Sequence, residues 1–253
     1  MSDRILTALP VYNEVSHVAA VLAEALRYGG EVLVVDDGST DGTSDLLAAR
    51  EDIRLIRHLR NRGYGAALQS AFDFAVDGPY DVLVTIDCDG QHEPQRIPLF
   101  VEAARNADVV SGSRYLRPWP GDSQPPEDRR RINRVITAEV NRRLGLNLTD
   151  AFCGFKAYRT AALARIELSD TGYAMPLEFW VRAAELGLKI VELPVPLIYL
   201  DEHRSFGGAL DQAETRLGVY RRVLQQSFSA RLPSKTVPRS CQAARPHCRK
   251  ATA

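Results

Sequence analysis

The chain has 253 residues, of which 45% are hydrophobic and 25% charged, and its 32 basic side chains balance 32 acidic ones. That is the composition of an ordinary globular protein with material for a sizeable core. No run approaches 18 consecutive apolar residues, which excludes a membrane-spanning helix. The opening MSDRILTALPVYNE lacks a signal peptide's apolar region and cleavage site, so a cytoplasmic location is expected.

Short runs rich in valine and isoleucine predict strands at residues 5–9, 32–35, 53–56, 82–86 and 109–110. Between them lie stretches of helical period, with Val18, Val21, Leu22, Ala25 and Leu26 on one face and Ala66, Ala67, Ser70, Ala71 and Phe74 on another. This alternation predicts an α/β fold: a mostly parallel, Rossmann-like sheet with helices on both faces. No Gly-x-Gly-x-x-Gly follows the first strand, so a dinucleotide fingerprint is absent.

In open α/β sheets a ligand sits beyond the carboxyl ends of the strands. The loops expected there are PVYNE (10–14), DDGSTDGT (36–43) and DCDGQH (87–92). They bring Asp36, Asp37, Asp87 and Asp89 to one edge. A turn followed by a helix cap accounts for Asp41 and Gly42. It does not account for an acid pair abutting a buried strand, so Asp37 is a ligand candidate. Asp87 and Asp89 repel each other unless a positive charge lies between them. A hard divalent cation takes oxygen ligands, and Mg²⁺ commonly bridges one or two carboxylates to substrate phosphates. His92 is expected to support this loop as a turn residue.

Cys88, Cys153, Cys241 and Cys248 share no metal-ligand spacing and suit a reducing compartment. The folded domain is expected to cover residues 1–228, and 229–253 to form a disordered basic tail. From Ser227 onward there are six basic residues and no acid, with Pro233, Pro238 and Pro246 among them. Two readings stand for the tail: a solvated segment without a task, or attraction to anionic lipid, which would add peripheral contact with the membrane face. Nucleic acid is not expected as a partner.

The loop motifs, together with NRGYGAAL (61–68), SGSRY (111–115), TDAFCGFKAY (149–158) and EFWVRAAELGLKIVELPVPL (178–197), resemble a known family. They are similar to inverting family 2 glycosyltransferases of the GT-A fold, in the dolichyl- or polyprenyl-phosphate mannose or glucose synthase branch. The resemblance spans roughly residues 4 to 225. It implies a single GT-A domain, a nucleotide-diphosphate sugar donor such as GDP-mannose or UDP-glucose, and a polyprenyl phosphate acceptor. It also implies that Pro10, Tyr12 and Glu14 line the nucleoside site, with Asp37 near the base. Asp87 and Asp89, with Gln91 beside them, would hold Mg²⁺ or Mn²⁺ against the donor diphosphate, Asp89 being counted with the catalytic residues. Arg114 would face the reacting phosphates, and a second family arginine has three contenders in Arg129, Arg130 and Arg131. Asp150 would shape the acceptor side. A late basic motif is represented loosely by HRSFGG (203–208), and Cys88 stands where relatives mostly carry alanine.

The chemistry accords with these residue types. Transfer to a hydroxyl needs a general base near the acceptor oxygen. Transfer to a lipid phosphate does not, because that oxygen is already anionic near neutral pH. It needs cations to neutralise two phosphates brought together and to stabilise the departing diphosphate. The alternatives are a family 2 enzyme acting on a hydroxyl, for which Glu178 is the candidate base, and a non-catalytic nucleotide-sugar binder. Phe152, Phe155, Phe179 and Trp180 are expected in the core or along the acceptor groove.

Overall fold

The computed structural model describes residues 3–200 and 207–230. The tail beyond Ala230 and residues 203–206 of HRSFGG lie outside the described residues. Strands are β1 (Ile5–Val11), β2 (Glu31–Asp36), β3 (Arg54–Arg57), β4 (Val82–Thr85), β5 (Val109–Ser113), β6 (Lys156–Arg159) and β7 (Ile190–Pro194). Helices are α1 (Val18–Tyr28), α2 (Thr43–Ala48), α3 (Tyr64–Asp77), α4 (Ile97–Ala103), α5 (Glu127–Leu144), α6 (Thr160–Leu163), α7 (Met175–Glu185) and α8 (Ala213–Ser229).

The strands form one sheet in the order β3-β2-β1-β4-β6-β5-β7. β1, β2, β3 and β4 run parallel, as do β5 and β7. β6 is inserted antiparallel to both β4 and β5, a strand that the alternation pattern did not predict. Successive residues alternate between two apolar layers. Leu6, Ala8, Leu33, Val35 and Leu83 face a core shared with α3, α5, α7 and α8. Leu9, Val11, Val32, Val34, Val82 and Val84 face a second core closed by α1 and α4. Burial on both faces explains why these strands read as unbroken apolar runs rather than alternating ones.

Local sequence sets the ends of α5, which carries Arg129. Pro125 and Pro126 precede it, and Glu127 and Asp128 occupy its first turn, where the helix dipole favours acids. Arg142 and Arg143 sit in its last turn, and Gly145, at φ +68°, terminates it with its N–H on the Asn141 carbonyl. The predicted five strands and two helices thus all form, and the carboxyl ends of β1, β2 and β4 share one edge.

Candidate active site

At that edge a cavity of about 920 Å³ opens, lined by residues of all three loops that follow β1, β2 and β4. The loops after β1 and β2 are tied together by their own side chains. The Asn13 N–H donates to Ser39 Oγ at 2.9 Å, and Thr40 N–H donates to Asn13 Oδ1 at 2.8 Å. Val15 N–H reaches Asp41 Oδ2 at 3.1 Å, while Asp41 Oδ1 accepts from the Thr43 N–H at 3.0 Å, the turn role expected of it. Asp36 is fully buried and accepts from the Ser39 N–H and the Ser44 hydroxyl, so it serves the fold.

Asp37 lines the cavity, but its carboxylate faces the β3–α3 loop. It accepts from Arg62 N–H at 2.9 Å, Gly63 N–H at 2.8 Å and His58 Nδ1 at 2.6 Å. The other ring nitrogen of His58 lies 3.0 Å from Ser70 Oγ. Gly63 must be glycine: its φ is +103°, and a Cβ there would stand 2.3 Å from the Thr171 carbonyl oxygen. Pro10, Tyr12 and Glu14 line the same cavity, and Glu14 Oε2 lies 3.2 Å from His17 Nδ1.

Beyond β4, Asp87, Asp89 and Gln91 all line the cavity. Tyr64 Oη donates to Asp87 Oδ1 at 3.0 Å, and His92 Nε2 is 3.4 Å from Asp87 Oδ2. Asp89 Oδ1 accepts from the Gln91 N–H at 3.0 Å. His92 is packed against Phe155 and its Nδ1 is a buried atom with no hydrogen-bond partner. Behind them, a Cβ on Gly154 would fall 2.1 Å from Asp87 Oδ2, so the carboxylate rests on bare backbone. Hard oxygen donors of this kind suit Mg²⁺ or Mn²⁺, and two carboxylates leave coordination positions for diphosphate and water. The residues present fit such an ion.

The cationic side is built from β5, α5 and α8. Arg114, at the end of β5, forks onto the fully buried Asp150, with Nε–Oδ2 at 2.6 Å and Nη2–Oδ1 at 3.0 Å. Asp150 also accepts from Asn133 Nδ2 at 2.7 Å and Phe152 N–H at 3.1 Å. Burial alone would raise the Asp150 carboxyl, but Arg114 and these donors outweigh it and hold the pKa at about 2. The same pairing lifts Arg114 above its ordinary value against the opposing effect of burial. Of the three contending arginines, Arg129 lines the cavity, with its guanidinium 5.4 Å from the Tyr199 ring centre. Arg130 is exposed and Arg131 pairs with Glu214, and neither lines the cavity.

Glu178 requires a correction. It is 2% exposed and does not line the cavity, and it accepts from Ser169 N–H, Ser169 Oγ and Asp170 N–H at 2.8–2.9 Å. It braces a loop, so the candidate base has no route to an acceptor. Phe155, Phe179 and Trp180 are core residues, whereas Phe152 lines the cavity. Sequence reasoning missed four residues. Tyr64 and Arg216 line the cavity, His58 holds Asp37, and Lys156 is buried with its ammonium on the Cys153 carbonyl. Burial pushes the Lys156 pKa down. Tyr64 and Lys156 lie within NRGYGAAL and TDAFCGFKAY, where their types alone gave no role.

An open α/β sheet with one reversed strand, an Asp-x-Asp at a strand end and arginines across the same cavity are the features of a glycosyltransferase of the GT-A fold. Residues 7–167 match the model of the family described as glycosyl transferase family 2. The chain belongs to that family and is a glycosyl-transferring enzyme. An undecaprenyl-phosphate mannosyltransferase of Micrococcus luteus is 37% identical over 224 residues, covering 83% of this chain and 90% of the relative. A polyprenol monophosphomannose synthase of Mycolicibacterium smegmatis is 33% identical over 207 residues, covering 77% of each. In fold, the chain matches glucosyl-3-phosphoglycerate synthase from Mycobacterium tuberculosis, solved with Mn²⁺, UDP and glucosyl-3-phosphoglycerate. The TM-score is 0.67 at 20% identity, over 93% of this chain and 83% of that one.

Proposed function

We propose that this enzyme moves a hexose, mannose in the first instance, from a nucleotide diphosphate to a polyprenyl phosphate, with inversion at the anomeric carbon. The observation that carries this reading is one cavity lined by Asp87 and Asp89 together with Arg114, Arg129 and Arg216. Two phosphates must approach each other during such a transfer, and fixed cations remove the repulsion between them. The two mannosyltransferase relatives support the choice of acceptor and sugar.

In this mechanism the acceptor supplies its own nucleophile, since a phosphate monoester is largely dianionic at pH 7, with a second pKa of about 6. An acceptor oxygen attacks the anomeric carbon from the face opposite the diphosphate. The bond from that carbon to the diphosphate oxygen breaks, and its electron pair leaves with the nucleoside diphosphate. We assign Arg129 to the approach of the anionic acceptor and Arg114, held by Asp150 in a fixed orientation, to the reacting groups; Arg216, in the same lining, is anchored on Asp128. Mg²⁺ or Mn²⁺ held by Asp87 and Asp89, with Gln91 alongside, would supply positive charge to the departing diphosphate. The donor's nucleoside is assigned to the end lined by Pro10, Tyr12, Glu14 and Asp37. No proton transfer is required, which agrees with Glu178 being turned away from the cavity.

The test is a donor panel of GDP-mannose, UDP-glucose and their exchanged partners with Mn²⁺ and a short-chain polyprenyl phosphate in detergent. Labelled lipid with one donor is the expected result. Transfer only to free sugars or polyols would instead support the hydroxyl-acceptor alternative.

A further inference from the structure

Charge is segregated in this domain. Six basic residues and no acid follow Ser227, so the first 226 residues carry six more acids than bases. Helices α5 and α8 run against that trend. α5 has six arginines against three acids and α8 three against one, a joint surplus of five positive charges in an otherwise acidic domain. The two helices pack side by side, joined by Arg143 to Gln225 at 2.9 Å and Arg221 to Glu139 at 3.2 Å.

Some of this charge is spent internally, since Arg131 pairs with Glu214 and Arg216 with Asp128. Arg130, Arg134, Arg142 and Arg222 are exposed and have no carboxylate partner among the described residues. Arg130, Arg134, Ala138 and Arg142 recur every fourth position, which places them along one stripe of α5 about 18 Å long. The stripe begins beside the cavity, because the neighbouring Arg129 lines it. Two residues that line that cavity, Tyr173 and Leu200, keep 39% and 59% of their surface in solvent.

A row of unpaired guanidinium groups that starts beside a cavity whose lining exposes a tyrosine and a leucine matches an anionic bilayer. Lipid phosphates take the cations, and the interfacial layer takes the tyrosine and the leucine. Nucleic acid fits less well, because the aromatic residues of the two helices are not open for bases to stack on: Tyr220 is buried, and Phe228 is half-buried beneath the Arg143 guanidinium. The geometry points to the exposed α5–α8 face as the surface that seats this domain on an anionic bilayer and brings the cavity mouth to the lipid. This inference rests on the acceptor being a lipid phosphate.

The test uses the full chain and a triple variant, Arg134→Gln, Arg142→Gln and Arg222→Gln, none of which belongs to the catalytic cavity. Co-sedimentation at low salt compares vesicles of phosphatidylglycerol and phosphatidylcholine with vesicles of phosphatidylcholine alone. Each basic residue at an anionic surface is worth roughly fivefold in partitioning. The wild type is expected to sediment with the anionic vesicles, and the variant to lose at least about tenfold, a gap that narrows as salt rises. Transfer to the short-chain acceptor in detergent should be equal in the two proteins, which checks that the variant is folded. Equal sedimentation of both proteins overturns the inference, as does failure of the wild type to bind anionic vesicles. Binding of an RNA oligonucleotide that the triple variant loses, without vesicle binding, overturns it in favour of nucleic acid. Vesicle binding is read without turnover, so absence of transfer to any polyprenyl phosphate would sink the acceptor assignment separately.

Discussion

Replacing Asp150 by asparagine removes the partner of Arg114 while keeping its shape. Oδ1 of Asp150 accepts from Arg114 Nη2, Asn133 Nδ2 and Phe152 N–H, and Oδ2 accepts from Arg114 Nε and, at 3.3 Å, its backbone N–H. Whichever way an amide is turned, its NH₂ meets at least two of these donors. Leaving a buried charge without its partner costs about 3–5 kcal/mol, an upper bound here because 22% of the Arg114 side chain is exposed, against a total stability of about 5–15 kcal/mol for a typical domain. The variant should therefore show a lower midpoint in urea at neutral pH with an unchanged slope. Acid supplies the second half of the test. The folded pKa of about 2 lies below the ordinary 3.8, so the stabilisation is complete above pH 3.8 and is lost as pH falls toward 2. The linked energy is about 2 kcal/mol, and the gap between wild type and variant should shrink by that order over this window. A cost below about 1 kcal/mol at neutral pH, or a gap indifferent to acid, would refute the reasoning.

Asp87→Asn and Asp89→Asn should each abolish transfer with the fold intact and remove metal-dependent donor binding in calorimetry; unchanged donor affinity with near-normal turnover would exclude the metal assignment. Arg114→Lys should lower kcat more than donor affinity, because a planar fork is replaced by a point charge, and full activity would remove Arg114 from the phosphates. Glu178→Gln should cost about 1–3 kcal/mol of stability by turning an amide toward loop donors, while the folded protein keeps its turnover; a folded but inactive variant would restore Glu178 as a base. Truncation after residue 228 is expected to weaken binding to anionic liposomes and slow transfer to a long-chain acceptor, with no effect on a detergent-solubilised short one. Equal sedimentation at low salt would leave the tail without a task.

Strands β1 to β4 were legible because valine and isoleucine runs flanked by helical periods suit buried parallel strands and little else. So was the edge at which Asp37, Asp87 and Asp89 meet, since it follows from strand direction alone. β6 was not, because KAYR begins with a lysine whose burial depends on the Cys153 carbonyl and the Trp180 ring, neither of them visible as a pattern. The same limit governed Glu178. An acid at the start of a helix looks the same in sequence whether it faces a substrate or captures the backbone of residues 169 and 170. For Arg129, Arg130 and Arg131 only the helix phase decides, and phase is fixed by where α5 begins. Sequence placed Asp37 at the cavity, but that its carboxylate holds the β3–α3 loop required the return of Arg62 and Gly63 from a distant part of the chain.

Gly154 gives the reversed strand a further consequence. The Asp87 carboxylate occupies the space that a side chain at position 154 would need, and Thr85 Oγ1 donates to the Gly154 carbonyl at 2.9 Å across the same junction. The segment leading into β6 is thus a mould for the carboxylate it touches, and the mould fits in one alignment only. Slipping a strand by one residue exchanges its faces, and here it would also bring Cys153 or Phe155 against Asp87 in place of the glycine. A chain that closes its sheet in the wrong alignment cannot assemble the Asp87 seat, so the position of this carboxylate depends on the registration of β6 as much as on the loop that carries it.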